Sequence, residues 1–235
     1  MWRRWPGSRR GATEAPRPEW QWPLRLTGET PRGLQVVLRP LVVADAPVFH
    51  AVRRANASWL EPWDATSPDP DAPARSFKDL VAHYDAEAAA GRSLPLVIEV
   101  DGRLVGQVSF GSIVLGSFRS CFVGYWVSRS MAGQGVVPAA VALAGDHLMG
   151  PVGLHRLEVN IRPENTASLA VVRKLGFRSE GLRPHFLHID GAWRHHRSFA
   201  LTTEDLAGET LMARLTQSSH ESLPRHTGGG PAHGA

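Results

Sequence analysis

Two hydrophobic periods alternate between residues 35 and 205, and each change of period marks a predicted element. Val36, Val37, Leu38 and Leu41 form a first apolar run that reads as a strand. Asp45 precedes APVFHAVRRA, with Pro47 in the first turn where a missing N–H costs little, and predicts a capped helix. Residues 56–63 lead into the turn-rich SPDPDAP loop. Phe77, Leu80, Val81 and Tyr84 recur at helical spacing over 76–90, and Gly91 ends that helix. LPLVIEV (94–100) and LVGQVSFGSIV (104–114) flank Asp101 and Gly102, a pair suited to a type I′ hairpin turn. A strand at 119–127, a helix reaching Met149, a strand at 156–162 and a helix at 166–175 closed by Gly176 follow. Strands at 177–183, 186–189 and 193–201 finish the pattern, with Asp190 and Gly191 as a second hairpin turn. The alternation predicts an α/β (α+β) fold with one folded domain at 35–206. An N-terminal extension at 1–34 and a disordered tail at 207–235 flank it.

The 235 residues suffice for one sizeable core. No run of 18 apolar residues exists, which excludes a predicted membrane helix, and the arginine-bearing N-terminus lacks the apolar stretch of a secretory signal. Cys121 is the sole cysteine, so no internal disulfide or cysteine-based zinc cage can form, and a cytoplasmic protein is expected. The net charge of +4 suits anionic partners. Arg3, Arg4, Arg9 and Arg10 accompany Trp2, Trp5, Trp20 and Trp22 in the extension. That composition fits either a disordered tail or a weak RNA or ribosome contact by charge and stacking.

Chemistry concentrates in FVGYWVSRSMAGQGVVPAAVALAGDHL (122–148), an apolar strand, a glycine loop and a helix. Gly133 and Gly135 permit positive φ, so backbone N–H groups can converge on a phosphate at the positive end of the helix; a plain tight turn is the alternative. Gly135 is followed by Val136 and Val137, which excludes a Walker loop, and two glycines fall short of the dinucleotide fingerprint. The loop resembles the acyl-CoA loop of the GNAT N-acetyltransferases, Gln/Arg-x-x-Gly-x-Gly/Ala. Gly135 matches its central glycine, while Ala132 and Val137 depart from its first and last positions.

A second stretch, RLEVNIRPENTASLAVVRKLGFRSEGLRP, supplies polar groups. By strand alternation Glu158 faces away from Leu157, Val159 and Ile161. Asn165 and Ser168 stand three apart at a helix start, as a cap pair or as an amide and a hydroxyl on one face. Glu158, Pro163-Glu164-Asn165, Ser168, Lys174-Leu175-Gly176-Phe177 and Glu180-Gly181 resemble the signature of the RimJ/RimL branch, the ribosomal-protein-alanine N-acetyltransferases. The likeness covers about residues 36–205, with His195 departing from an expected Asp.

The resemblance implies a mixed, mostly antiparallel, V-splayed sheet flanked by helices, opening between 119–127 and 156–162. It implies acetyl-CoA as acetyl donor, without a metal, in a site built from Tyr125, Trp126, Val127, Ala132, Gly133, Gln134, Gly135, Val136, Val137 and Asn165. A backbone N–H near residues 125–127 would polarise the thioester carbonyl. A protein α-amine, with an ordinary pKa near 8, needs only modest help to lose its proton. Glu158 is therefore the expected general base, with a surface ion pair as its alternative, and the resemblance makes Ser168 the proton donor to the departing thiolate. Trp63, Tyr125, His188 and Trp193 are expected at the peptide entrance. His185, His188, His195 and His196 lack a carboxylate or cysteine at ligand spacing, which disfavours zinc. The expected activity is direct acetyl transfer to a protein N-terminus, such as that of a ribosomal protein. Two alternatives are transfer to an antibiotic or polyamine, and a non-catalytic acyl-CoA-sensing or ribosome-associated role.

Overall fold

The computed structural model describes residues 19–69, 71 and 75–221. In chain order, β1 (Leu26–Glu29) and β2 (Gln35–Arg39) precede α1 (Ala46–Ala55), α2 (Ala57–Leu60) and α3 (Phe77–Ala89). Then come β3 (Leu94–Val100), β4 (Arg103–Val114), β5 (Ser120–Val127), α4 (Val136–Met149), β6 (Arg156–Ile161) and α5 (Thr166–Lys174). The chain finishes with β7 (Arg178–Ile189), β8 (Ala192–Thr202), α6 (Thr203–Leu206) and α7 (Leu211–Glu221). The strands form one eight-stranded sheet in the order β1-β2-β3-β4-β5-β6-β8-β7, in which only β5 and β6 run parallel.

Both sheet faces carry a core. Leu96, Ile98, Val108, Phe110, Val123, Leu157 and Val159 pack on one side with α4, α5 and α7, whereas Val97 and Leu104 meet Val81, Phe77 and Phe49 of α3 and α1 on the other. This two-sided burial explains the nearly unbroken apolar run of β3. Asp101 and Gly102 both take positive φ (50° and 75°), as do Asp190 and Gly191 (49° and 71°), so both predicted hairpin turns form.

Several boundaries differ from the sequence expectation. The folded unit extends beyond 35–206 at both ends. β1 pairs with β2, and Trp20 and Trp22 donate from their indoles to Ala88 O (2.7 Å) and Asp85 Oδ1 (2.9 Å) on α3. These two tryptophans are tied to the domain; Trp2, Trp5 and the four arginines lie outside the described residues. At the other end α7 buries Leu211 and Leu215 against α4, where a Cβ on Gly145 would come within 2.7 Å of Leu211 Cδ1. Burying two leucines contributes roughly 1.5–3 kcal/mol each. Asp146 of α4 accepts from the N–H groups of Leu211 (2.6 Å) and Met212 (3.1 Å), capping the new helix.

Asp45 does not cap α1 with its side chain. Its carboxylate accepts from Val42 N–H (2.9 Å) and pairs with Arg39 (2.7 Å), which closes the preceding 3₁₀ turn. The strands expected at 177–183 and 186–189 are one strand, β7, with pairing interrupted between Arg183 and Leu187 around His185, whose φ is 48°.

Candidate active site

β5 and β6 pair only from Ser120↔Arg156 to Phe122↔Glu158, although β5 continues to Val127 and β6 to Ile161. Beyond that last rung the strands part, giving the V expected of the sheet. Ser128 N–H donates to Val105 O (2.8 Å) and Arg156 N–H to Arg119 O (3.0 Å), which fixes the parity of β5. Phe122, Gly124 and Trp126 direct their backbone groups to β4, while those of Tyr125 and Val127 face the gap.

The glycine loop lies at the start of α4. Gly133 (φ 76°) and Gly135 (φ 83°) turn the chain, and Gly135 caps α4 without a side-chain partner. Among the described residues, the N–H groups of Gly133, Gly135, Val136 and Val137 have no well-aligned acceptor, and Pro138 carries no N–H. These donors sit at the positive end of a 14-residue helix, a fitting place for phosphate oxygens. Val137 is buried in the core, so its branched side chain leaves the loop surface clear. Ala132 adds no polar side chain, and the Gln134 amide is spent on Ser130 O at 2.6 Å.

Glu158 stands at the fork, 5% exposed, on the face opposite Leu157. Its oxygens accept from Arg156 Nη2 (2.9 Å), Arg183 Nη2 (2.6 Å) and Asn160 Nδ2 (3.2 Å). The ion pairs of the alternative reading are present, with the carboxylate buried and the Arg183 and Arg156 side chains partly exposed. Ser198 Oγ donates to Asn160 Oδ1 (2.6 Å), extending the polar stripe to β8. Arg156 also grips Glu180, which Arg178 shares with Asp205. Sequence reasoning missed Arg183, because a partner two strands away leaves no spacing signal.

At α5, Asn165 caps the helix by accepting Ser168 N–H at 3.0 Å. Its oxygen therefore serves the backbone, and the Ser168 hydroxyl has no described partner. Tyr125 reaches the same turn, donating to Ser168 O at 3.4 Å; burial pushes its phenol well above the ordinary value, so it stays protonated. Tyr125 thus belongs to the α5 side of the sheet, not the expected entrance. Burial also pushes the Cys121 thiol up to about 12, which removes it as a nucleophile.

The segment after α1 bridges the mouth of the V. Trp59 Nε1 donates to Val127 O (3.1 Å) on one arm, and Arg162 Nη1 donates to Pro62 O (2.8 Å) from the other, with its guanidinium 5.2 Å from the Trp63 ring. Trp126 and its neighbours of β5 thereby gain a wall. His188 contacts Thr66 Oγ1 at 2.8 Å and stacks edge-on with the half-exposed Trp193. His195 accepts from His185 N–H at 3.0 Å, and the buried His196 donates from Nδ1 to Arg194 O at 3.0 Å. Among the described residues no three His, Cys, Asp or Glu gather to hold a metal, and no helix is long and apolar enough to cross a membrane.

Residues 35–178 match the family model described as Acetyltransferase (GNAT) domain. The structure of Mycobacterium smegmatis RimJ in complex with CoA-disulfide is 38% identical with a TM-score of 0.76, covering 84% of this chain and 96% of that one. Among curated proteins, "Probable N-acetyltransferase YjcK" of Bacillus subtilis (strain 168) is 27% identical over 74% of this chain and 97% of its own length. The [Ribosomal protein uS5]-alanine N-acetyltransferase of Escherichia coli (strain K12) is 35% identical over 43% of this chain and 53% of its own.

Proposed function

The chain belongs to the GNAT acetyltransferase family, in its RimJ/RimL branch, and on that premise we propose that it acetylates a protein N-terminal α-amine, such as that of a ribosomal protein. The observation that carries this reading is the end of β5–β6 pairing at Phe122↔Glu158, which sets free backbone donors beside a buried carboxylate.

Acetyl-CoA would supply an activated acyl thioester. The N–H groups of Gly133, Gly135, Val136 and Val137 would hold its phosphates, and those of Tyr125 and Val127 would donate to the carbonyl oxygen as negative charge develops there. Glu158 accepts the proton that the amine nitrogen loses as the new C–N bond forms, directly or through a water. Ser168 Oγ–H donates to sulfur as the C–S bond breaks. The amine attacks the thioester directly, and the buried thiol of Cys121 takes no part as an acyl carrier.

Pairing of the nearby carboxylates favours a peptide amine over a polycation. Glu158, Glu180 and Asp205 are already matched by Arg156, Arg178 and Arg183, which leaves little negative charge for a polyamine. The Spermidine N(1)-acetyltransferase of Escherichia coli (strain K12), 29% identical over 70% of this chain, keeps the polyamine as the comparison substrate. A thiol-release assay with acetyl-CoA decides between them. CoA release with free N-terminal peptides, and none with N-acetylated controls, is the expected result; release with spermidine alone would overturn the peptide reading.

A further inference from the structure

β5 is bonded on both edges near its start, yet Phe122 is 39% exposed and Gly124 is exposed. A sheet face in a layered fold is ordinarily covered, so this gap needs a reason. Opposed residues share a face and alternate along each strand, which sorts the rows. The helices α1 and α3 cover the row Val97↔Gln107↔Trp126. The next two rows on that face, Pro95↔Ser109↔Gly124 and Gly111↔Phe122↔Glu158, form a strip that is open at Phe122 and Gly124, half-buried at the small residues Ser109 and Gly111, and buried at its ends, Pro95 and Glu158. Ser109 Oγ, 3.4 Å from both Gly124 O and the site of a Gly124 Cβ, confirms that these side chains share the face.

The strip leads from Glu158 to a cavity of about 410 Å³ against α3, lined by His83, Tyr84, Glu87, Ser109 and Ser112 among others. We propose that this strip and cavity bind the acceptor polypeptide's residues that follow the acetylated one, in an extended conformation. The inference rests on the acetyltransferase reading and names a subsite for it. Continuity is the first argument: one end of the strip is the carboxylate that receives the amine. Reach is the second, since β4 and β6 lie two strand spacings apart, about 10 Å, and about three extended residues span that distance. The lining is the third. It offers hydroxyl and imidazole groups, and its one carboxylate, Glu87, is gripped at 2.6 to 3.1 Å by Arg92, which lines the cavity as well, so the two charges offset and the site suits polar, uncharged backbone and side chains.

The test uses acceptor peptides of two, four and six residues with a common first residue, at saturating acetyl-CoA. In the wild type kcat/KM should rise about tenfold from two to four residues, the worth of one or two hydrogen bonds, and then level off. Raised ionic strength should leave that rise in place. Ser109→Tyr fills the floor and should collapse the length gain toward unity, and His83→Ala should cut it about threefold. Thermal melting identifies a Ser109→Tyr protein that fails to fold, in which case His83→Ala alone decides. Equal kcat/KM at all lengths, or an undiminished gain in the folded variants, overturns the subsite while leaving the acetyltransferase reading intact. Turnover of small amines with no peptide turnover overturns both.

Discussion

Arg183 of β7 reaches across β8 to Glu158 of β6, closing to 2.6 Å. The carboxylate is held from below by Arg156 on its own strand and from the side by Arg183, so its position at the fork depends on both. Glu158→Gln should lower kcat by about 10²–10⁴, the usual worth of general-base help, with acetyl-CoA affinity nearly unchanged. Part of the loss should return as pH rises toward about 8, where an α-amine sheds its proton unaided. Arg183→Met keeps the carboxylate but loosens it, and kcat should fall about tenfold, less than the roughly hundredfold that a full 1 Å misplacement can cost. Steady-state kinetics across pH check both variants, and an unaltered kcat in Glu158→Gln would falsify the base assignment.

Ser168 and Asn165 separate chemistry from architecture on one helical turn. The Asn165 side chain is committed to Ser168 N–H, so Asn165→Ala should cost about 1 kcal/mol of stability through the lost cap. Ser168→Ala removes only a hydroxyl with no described partner, and should slow transfer about tenfold or more while leaving the melting temperature in place. Pre-steady-state transfer rates and melting curves read the two effects independently. A Ser168→Ala enzyme with unchanged transfer would move the proton donor elsewhere, with the protonated Tyr125 phenol, 3.4 Å from Ser168 O, next to be tried.

The elements that flank the fork were legible because their signals are local, whereas the splay between them was implied by the family resemblance. A strand that becomes a glycine loop and then a helix shows as a change of period, and Glu158, Asn165 and Ser168 follow within one stretch. What stayed hidden is long-range or short. Arg183 meets Glu158 only through the β7–β8–β6 order, and Trp59 meets Val127 only because the sheet brings positions 68 apart together. β1 has four residues of alternating exposure, too few to stand out, and α7 shows only Leu211, Met212 and Leu215 before a polar end. Its signal is the fit of Leu211 against Gly145, a contact that no window along the chain contains.

Gly135 holds φ 83° at the start of α4, a conformation that costs an L-residue roughly 1–2 kcal/mol. There is ordinary van der Waals room for a Cβ, 3.6 Å from Thr30 and Pro31, so strain and not collision governs the outcome. Gly135→Ala should therefore fold, with a melting temperature lowered by a few degrees, roughly 4 °C or more per kcal/mol in small domains and less in larger ones. Acetyl-CoA should bind about tenfold more weakly, because a loop relaxing out of the left-handed region turns phosphate donors away. Calorimetric titration of the folded variant measures this. Wild-type affinity would mean that the phosphates are held elsewhere.

Glu180 links the fork to pH. The hydrogen bonds from Arg156, at 2.9 and 2.5 Å, hold its carboxyl below the ordinary carboxylate range, partial burial opposes them, and Arg178 adds to the lowering. A carboxylate whose pKa is lowered in the folded state binds fewer protons there than in the unfolded chain. Its contribution is complete above the unfolded value, about 4.3, and is lost as pH falls through the folded value. Glu180→Gln should melt at a lower temperature than the wild type at pH 7, and the gap should narrow steadily below about pH 4.3. Raised salt should narrow it as well, since the group is partly exposed and its partners are screened. Melting curves between pH 7 and pH 3 test the sign. A gap that widens toward acid would mean that Glu180 is held protonated in the folded protein, and the Arg156 bridge between Glu158 and Glu180 could not then order the fork.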